Sequence, residues 1–160
     1  MSKDVAMNNS KPALVLGVGN LLMGDEGVGV HAARLLASKP LPSTVEVLDG
    51  GTGGFHLLSL FEEYDPIILI DATQDGDPPG TVKLVKPKFA SDFPRTLSAH
   101  DIGLRDLLET AQLLGPLPTL YLITVSIGEL QEMSVELSPS VSGAVEEVLR
   151  IVHGILGTSG

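Results

Sequence analysis

Cysteine is absent from this chain of 160 residues. That excludes structural disulfides, a cysteine nucleophile, a thiolate zinc site and an iron–sulfur cluster held by the chain itself. Cationic residues are scarce: ten Lys and Arg stand against twenty Asp and Glu, a formal net charge of −10. With no Lys/Arg cluster to offset phosphate charge, nucleic acid and anionic membranes are disfavoured as partners. No internal repeat, low-complexity tract or linker is visible. Residues 1–11 hold Lys3, Asp4, Asn8 and Asn9 but no apolar core, so they read as a flexible leader rather than a signal peptide. The longest uncharged stretch, Thr110 to Gly128, is split by Gly115, Pro116 and Pro118 into a helix end, a turn and a strand, which rules out a membrane span.

What is present suits one folded domain over residues 12–157, expected in the cytoplasm. Apolar residues make up 43% of the chain and the mean hydropathy is +0.28, values of a chain with a core rather than a disordered one. Ala13 to Val18 is a short apolar run stopped by Gly17-Val18-Gly19-Asn20, the pattern of a buried parallel strand and a tight turn. Val28, Ala32, Leu35 and Leu36 recur at helical spacing within Gly27 to Ser38. Further strands are expected at Val45–Leu48, Ile67–Ile70 and Thr119–Val125, with a half-exposed edge strand at Thr81–Val85. Helices are expected from Phe55 to Phe61, from Ile102 to Leu114 with Leu104, Leu107, Leu108 and Leu114 inward, and from Val141 to Leu156. Such alternation predicts an α/β fold, a three-layer α/β/α sandwich around a mostly parallel twisted sheet.

Ligands of an open parallel sheet gather beyond the carboxyl ends of its strands. Asp71 follows Ile67-Ile68-Leu69-Ile70, and a carboxylate after so apolar a strand is costly unless paired, hydrogen-bonded or coordinating. It therefore reads as functional. Asp25 and Glu26 open the first helix, where acids complement the helix dipole: Asp25 reads as such an acid or as an N-cap, and Glu26 as either a dipole partner or a site ligand. Asp49 precedes Gly50-Gly51-Thr52-Gly53-Gly54, where an Asx-turn competes with a functional role. His100 stands in a loop before a helix and can serve as ligand or base, with Asp101 as its orienting partner or a helix cap. His31 lies about 140° around a helix from Glu26 and shares no face with it. His56 and His153 have solvated or packed roles as their default.

Several motifs are missing. Gly17-Val18-Gly19 lacks the third glycine of the dinucleotide fingerprint at Leu22, and no P-loop lysine follows. The metalloprotease H-E-x-x-H and the hydrolase G-x-S-x-G are also absent. Two carboxylates and an imidazole remain, a set able to hold a borderline divalent ion with positions left open.

Leu14 to Gly29, reading LVLGVGNLLMGDEGVG, resembles the opening signature of the nickel–iron hydrogenase maturation proteases. The likeness continues through Asp49-Gly50-Gly51-Thr52-Gly53-Gly54, Ile70-Asp71-Ala72, His100-Asp101-Ile102-Gly103-Leu104 and Leu137-Ser138-Pro139, so it covers nearly the whole chain from Ala13. The resemblance implies a single α/β/α domain and an endopeptidase that trims the C-terminal extension from a nickel-loaded hydrogenase large-subunit precursor. Glu26, Asp71 and His100 match the family's three metal-binding positions. By the same resemblance nickel arrives with the precursor, and the resting enzyme is metal-free. Asp71 is expected nearest the chemistry, of aspartic or nickel-assisted type, while Glu26 and His100 position the metal. A monomer suits an enzyme that must embrace a large partner. Where relatives often carry Pro after the fifth strand, this chain reads Ser126-Ile127-Gly128-Glu129, and the 126–134 loop is expected to shape substrate choice. Two other readings remain: a noncatalytic nickel-binding maturation chaperone using the same three ligands, and a nucleotide-binding α/β module resting on Gly17-Val18-Gly19 and the sheet.

Overall fold

A computed structural model describes residues 11–51, 58–89, 92, 104–129 and 134–158. In chain order the elements are β1 (Ala13–Val18), a 3-10 turn (Gly24–Gly27), α1 (Val28–Ala37), β2 (Val45–Gly51), α2 (Leu60–Glu63) and β3 (Ile67–Thr73). β4 (Val82–Val85), α3 (Leu104–Leu114), β5 (Leu120–Ser126) and α4 (Pro139–Leu156) follow. The five strands form one sheet in the order β2-β1-β3-β5-β4. All neighbours are parallel except β4, which pairs antiparallel with β5 at the edge.

Strand alternation divides the core into two layers. Leu14, Leu16, Ile67, Leu69, Leu120 and Leu122 pack on one face with Phe61 of α2 and Leu108 and Ala111 of α3. Val15, Ile68, Ile70, Ala72, Ile123 and Val125 pack on the other with residues of α1 and α4. Because both faces are covered, the central strand β3 is buried at all seven positions, as expected of a parallel sheet flanked by helices. The expected α/β/α sandwich is therefore observed.

Several boundaries differ from the sequence expectation. β3 runs to Thr73 rather than Ile70, and β2 to Gly51 rather than Leu48, because ladder bonds to neighbouring strands continue past the last apolar residue. The first helix begins at Val28, and the segment before it winds as the 3-10 turn. α4 starts at Pro139, in the first helical turn where its missing N–H costs nothing. Leu108 is buried, but Leu114 is 68% exposed; it ends α3 beyond the sheet and is not inward. Leu84 is also exposed, so β4 does not keep a strict in–out alternation at the edge. The leader 1–10 and residues 52–57 and 101–103, with the helix starts expected there, lie outside the described residues.

Order β2-β1-β3 makes the gap between β1 and β3 the point where the chain's winding reverses, and the crevice beyond their carboxyl ends is where such sheets bind ligands.

Candidate active site

Asp71 sits within β3 rather than after it, opposite Thr124 of β5, and is 0% exposed. Its side chain shares the alternation of Ile67 and Leu69, the face covered by α2 and α3. Oδ1 accepts the N–H of Ala72 at 2.8 Å, which fixes the carboxylate's rotamer. A carboxyl group held in so apolar a strand is kept against a large desolvation cost.

Glu26 reaches the same edge by a different route. The chain leaves β1 through Gly19, whose φ is +137°, a conformation that other residues resist. It then folds back as the 3-10 turn, which packs against β3. A Cβ at Gly19 would stand 2.2 Å from the Glu26 carbonyl oxygen, so only glycine lets the turn lie this close to the strand tip. Gly29 acts similarly at the start of α1, where a Cβ would stand 2.2 Å from the Ile70 carbonyl oxygen. The result is a second carboxylate at 0% exposure, on an element in contact with the strand that bears Asp71.

The same geometry answers the nucleotide reading. Space above Gly19 that a phosphate cradle needs is filled by the chain's own Glu26 backbone, and a buried carboxylate beside it repels an anion. These glycines serve close packing.

Asp25 departs from expectation. It caps no helix of its own; its carboxylate instead accepts the Ser138 N–H at 2.6 Å and the Ser138 hydroxyl at 2.7 Å, immediately before α4. Asp49 lies inside β2, opposite Gly17, and forms an ion pair with Arg34 at 3.1 Å. Sequence reasoning missed a further cluster after β3. Buried Ser126 donates its hydroxyl to Asp75 Oδ1 at 2.9 Å, Asp75 also accepts the Asp77 N–H at 3.1 Å, and Lys83 approaches within 3.5 Å. Partial burial works against the Asp75 charge, but the Asp77 N–H, Ser126 hydroxyl and Lys83 outweigh it and hold its pKa below the usual carboxylate value. Its contacts lie up to 51 residues apart in sequence, too far for a local pattern to reveal. His153 is packed, its Nδ1 2.7 Å from the Thr158 hydroxyl.

Of the three expected site residues, the structure brings the elements that carry Glu26 and Asp71 into contact. His100 lies outside the described residues, as does Asp101. Among the described residues no group of three His, Cys, Asp or Glu is placed to hold a metal ion. Two buried carboxylates supply hard oxygen donors suited to a divalent cation; a complete set requires one more donor.

Residues 30–155 match the family described as hydrogenase maturation protease (HycI). The chain belongs to the hydrogenase maturation protease family. The matched span contains Asp71 and His100, with Glu26 four residues before it. The hydrogenase expression/formation protein HupD of Rhodobacter capsulatus is 38% identical over 137 residues, a match spanning 83% of this chain but 65% of that relative's length. The hydrogenase maturating endopeptidase HybD from Escherichia coli superposes with a TM-score of 0.81 at 36% identity, covering 91% of each chain. The [NiFe] hydrogenase maturation protease HybD from Thermococcus kodakarensis does so with 0.74 at 28% identity, covering 90% of this chain and 98% of that one. Family membership makes this maturation protease a peptidase and leaves the nucleotide and chaperone readings without support. Among the described residues, no helix is long and apolar enough to cross a membrane.

Proposed function

We propose that this protein is the endopeptidase that removes the C-terminal extension of a nickel–iron hydrogenase large-subunit precursor, with nickel entering as part of the substrate. The observation that carries the reading is the pair of fully buried carboxylates, Glu26 and Asp71, on two touching elements at the sheet's winding reversal. An isolated buried acid is expensive; two on touching elements suit a cationic substrate centre. His100 is the third donor. α3 precedes the parallel strand β5, so it begins at the carboxyl edge, on the face that Asp71 shares. His100 stands four residues before Leu104, within about 14 Å of it by chain length.

In this scheme Glu26, Asp71 and His100 approach the open positions of the precursor's nickel and so register the scissile peptide. Asp71 lies nearest the reacting atoms and takes a proton from the attacking water as its oxygen adds to the peptide carbonyl; the departing amine receives the proton. Glu26 and His100 orient. The enzyme acts in the cytoplasm as a monomer, metal-free between turnovers.

Intact-mass analysis of a nickel-loaded large-subunit precursor, beside a nickel-free control, tests the reading. Loss of a C-terminal peptide in the loaded sample alone supports it, and Asp71→Ala is expected to abolish that loss. Cleavage of both samples would keep the peptidase and remove the nickel gate. An unchanged mass with the cognate precursor would overturn the reading.

A further inference from the structure

Asp25 stands beside Glu26 in the most distinctive part of the sequence, yet the chemistry proposed above leaves it without a role. Its partner is 113 residues away in sequence. Both oxygens are engaged by one residue: Oδ1 by the Ser138 N–H at 2.6 Å and Oδ2 by the Ser138 hydroxyl at 2.7 Å. Asp25 is 6% exposed, so water competes little for these bonds. Ser138 is the N-cap residue of α4, and α4 is anchored in the core through buried Val141, Val145, Val148 and Val152. Asp25 thereby ties a short, four-residue turn to the longest helix among the described residues.

Two backbone bonds run alongside. Gly24 N–H donates to the Ser134 carbonyl at 2.6 Å, and Ser134 N–H donates to the Leu22 carbonyl at 2.9 Å. On its inner side the turn is stopped by the tip of β1, since the Glu26 carbonyl already fills the Cβ position of Gly19. Glu26 therefore sits between a fixed inner wall and a pair of hydrogen bonds that close the outer side. A 3-10 turn has poor hydrogen-bond geometry of its own and depends on such outside support.

We infer that Asp25 and Ser138 form a latch that fixes the position of Glu26 in the active site, making Asp25 a positioning residue and not a ligand or base. This rests on the proposed role of Glu26. Asp25→Ala and Ser138→Ala are to be compared with the wild type and with Val148→Ala, a core-weakened control remote from the turn. With the nickel-loaded precursor, both latch variants are expected to lose about tenfold or more in kcat with KM changed less than about twofold. Ser138→Thr, which keeps the hydroxyl, restores kcat. By hydrogen exchange, the Gly24–Gly27 amides of the latch variants are expected to open about tenfold faster, with the core of α4 unchanged.

A kcat loss no larger than that of Val148→Ala, or unchanged exchange in Gly24–Gly27, overturns the latch while precursor cleavage by the wild type still stands. Should the wild type leave the precursor uncut, the proposed function falls, and exchange alone decides whether the latch holds the turn.

Discussion

The two edges of the sheet contrast. At the amino edge of β5 lies a cavity of about 560 Å³ lined by Lys86, Lys88, Gln112, the Gly115–Pro118 turn and Tyr121, with no acid among its lining residues. At the carboxyl edge, Glu26 and Asp71 are fully buried and glycines bring backbones into contact. This cavity and the two buried acids thus lie at opposite ends of the strands. A cavity forms where prolines and a turn fail to cover the sheet, at no electrostatic cost. Buried carboxylates persist only where something else requires them.

Substitutions at each edge break or sharpen this contrast. The largest effect belongs to Asp71→Asn, which keeps the shape but removes the proposed base: precursor processing should fall at least about 100-fold, read as the initial rate of C-terminal peptide release. Gly29→Ala tests the packing that places the site. Its Cβ would meet the Ile70 carbonyl oxygen at 2.2 Å, and overpacking of backbone against backbone should cost about 3 kcal/mol, a drop of roughly 10 °C in Tm.

Opposite extremes of pH should loosen the two edges separately. Near the amino ends of β2 and β3, Tyr64 donates its hydroxyl to Glu46. That bond, helped by burial and by the charges of Glu46 and Glu63, raises the phenol pKa from 10.0 to about 12. A raised folded-state pKa gives stability that is whole below pH 10 and lost as pH rises toward about 12. Tyr64→Phe should therefore flatten the alkaline limb of a Tm-against-pH curve. Asp75, near the other edge, has a lowered pKa. Its contribution is present above the ordinary carboxylate value of 3.8 and lost as pH falls through the lower folded-state value. Asp75→Asn should flatten the acid limb and leave the alkaline one unchanged. The smallest effect is expected from Lys86→Ala with Lys88→Ala at the cavity: processing within about twofold and stability within about 0.5 kcal/mol of the wild type. A large loss there would show that the cavity takes part in binding the precursor.

Much of this was legible in the sequence because its causes are local. Apolar runs such as Ile67–Ile70 mark strands buried on both faces, and the glycines around Gly17-Val18-Gly19 mark a sharp exit from one of them. Asp71 was conspicuous for the same reason, a charge where the pattern demands none. Asp25 was legible in part: it lies in a first helical turn, where helix-start rules favour an acid, but its carboxylate bonds Ser138 rather than capping that turn. Asp75 went unnoticed because Ser126 and Lys83 reach it only after β3, β4 and β5 pair.

By itself, then, the sequence determined the alternation of strands and helices, the burial of the central strand and the prominence of Asp71. Those follow from periodicity and the cost of desolvating charge, which act over a few residues. Tertiary structure alone decided the strand order that brings β1 beside β3, the packing of the Glu26 turn against the strand of Asp71, and the pairing of Asp25 with α4. Each is a contact between segments distant along the chain, and closing such loops depends on the shape of the whole core rather than on any local preference.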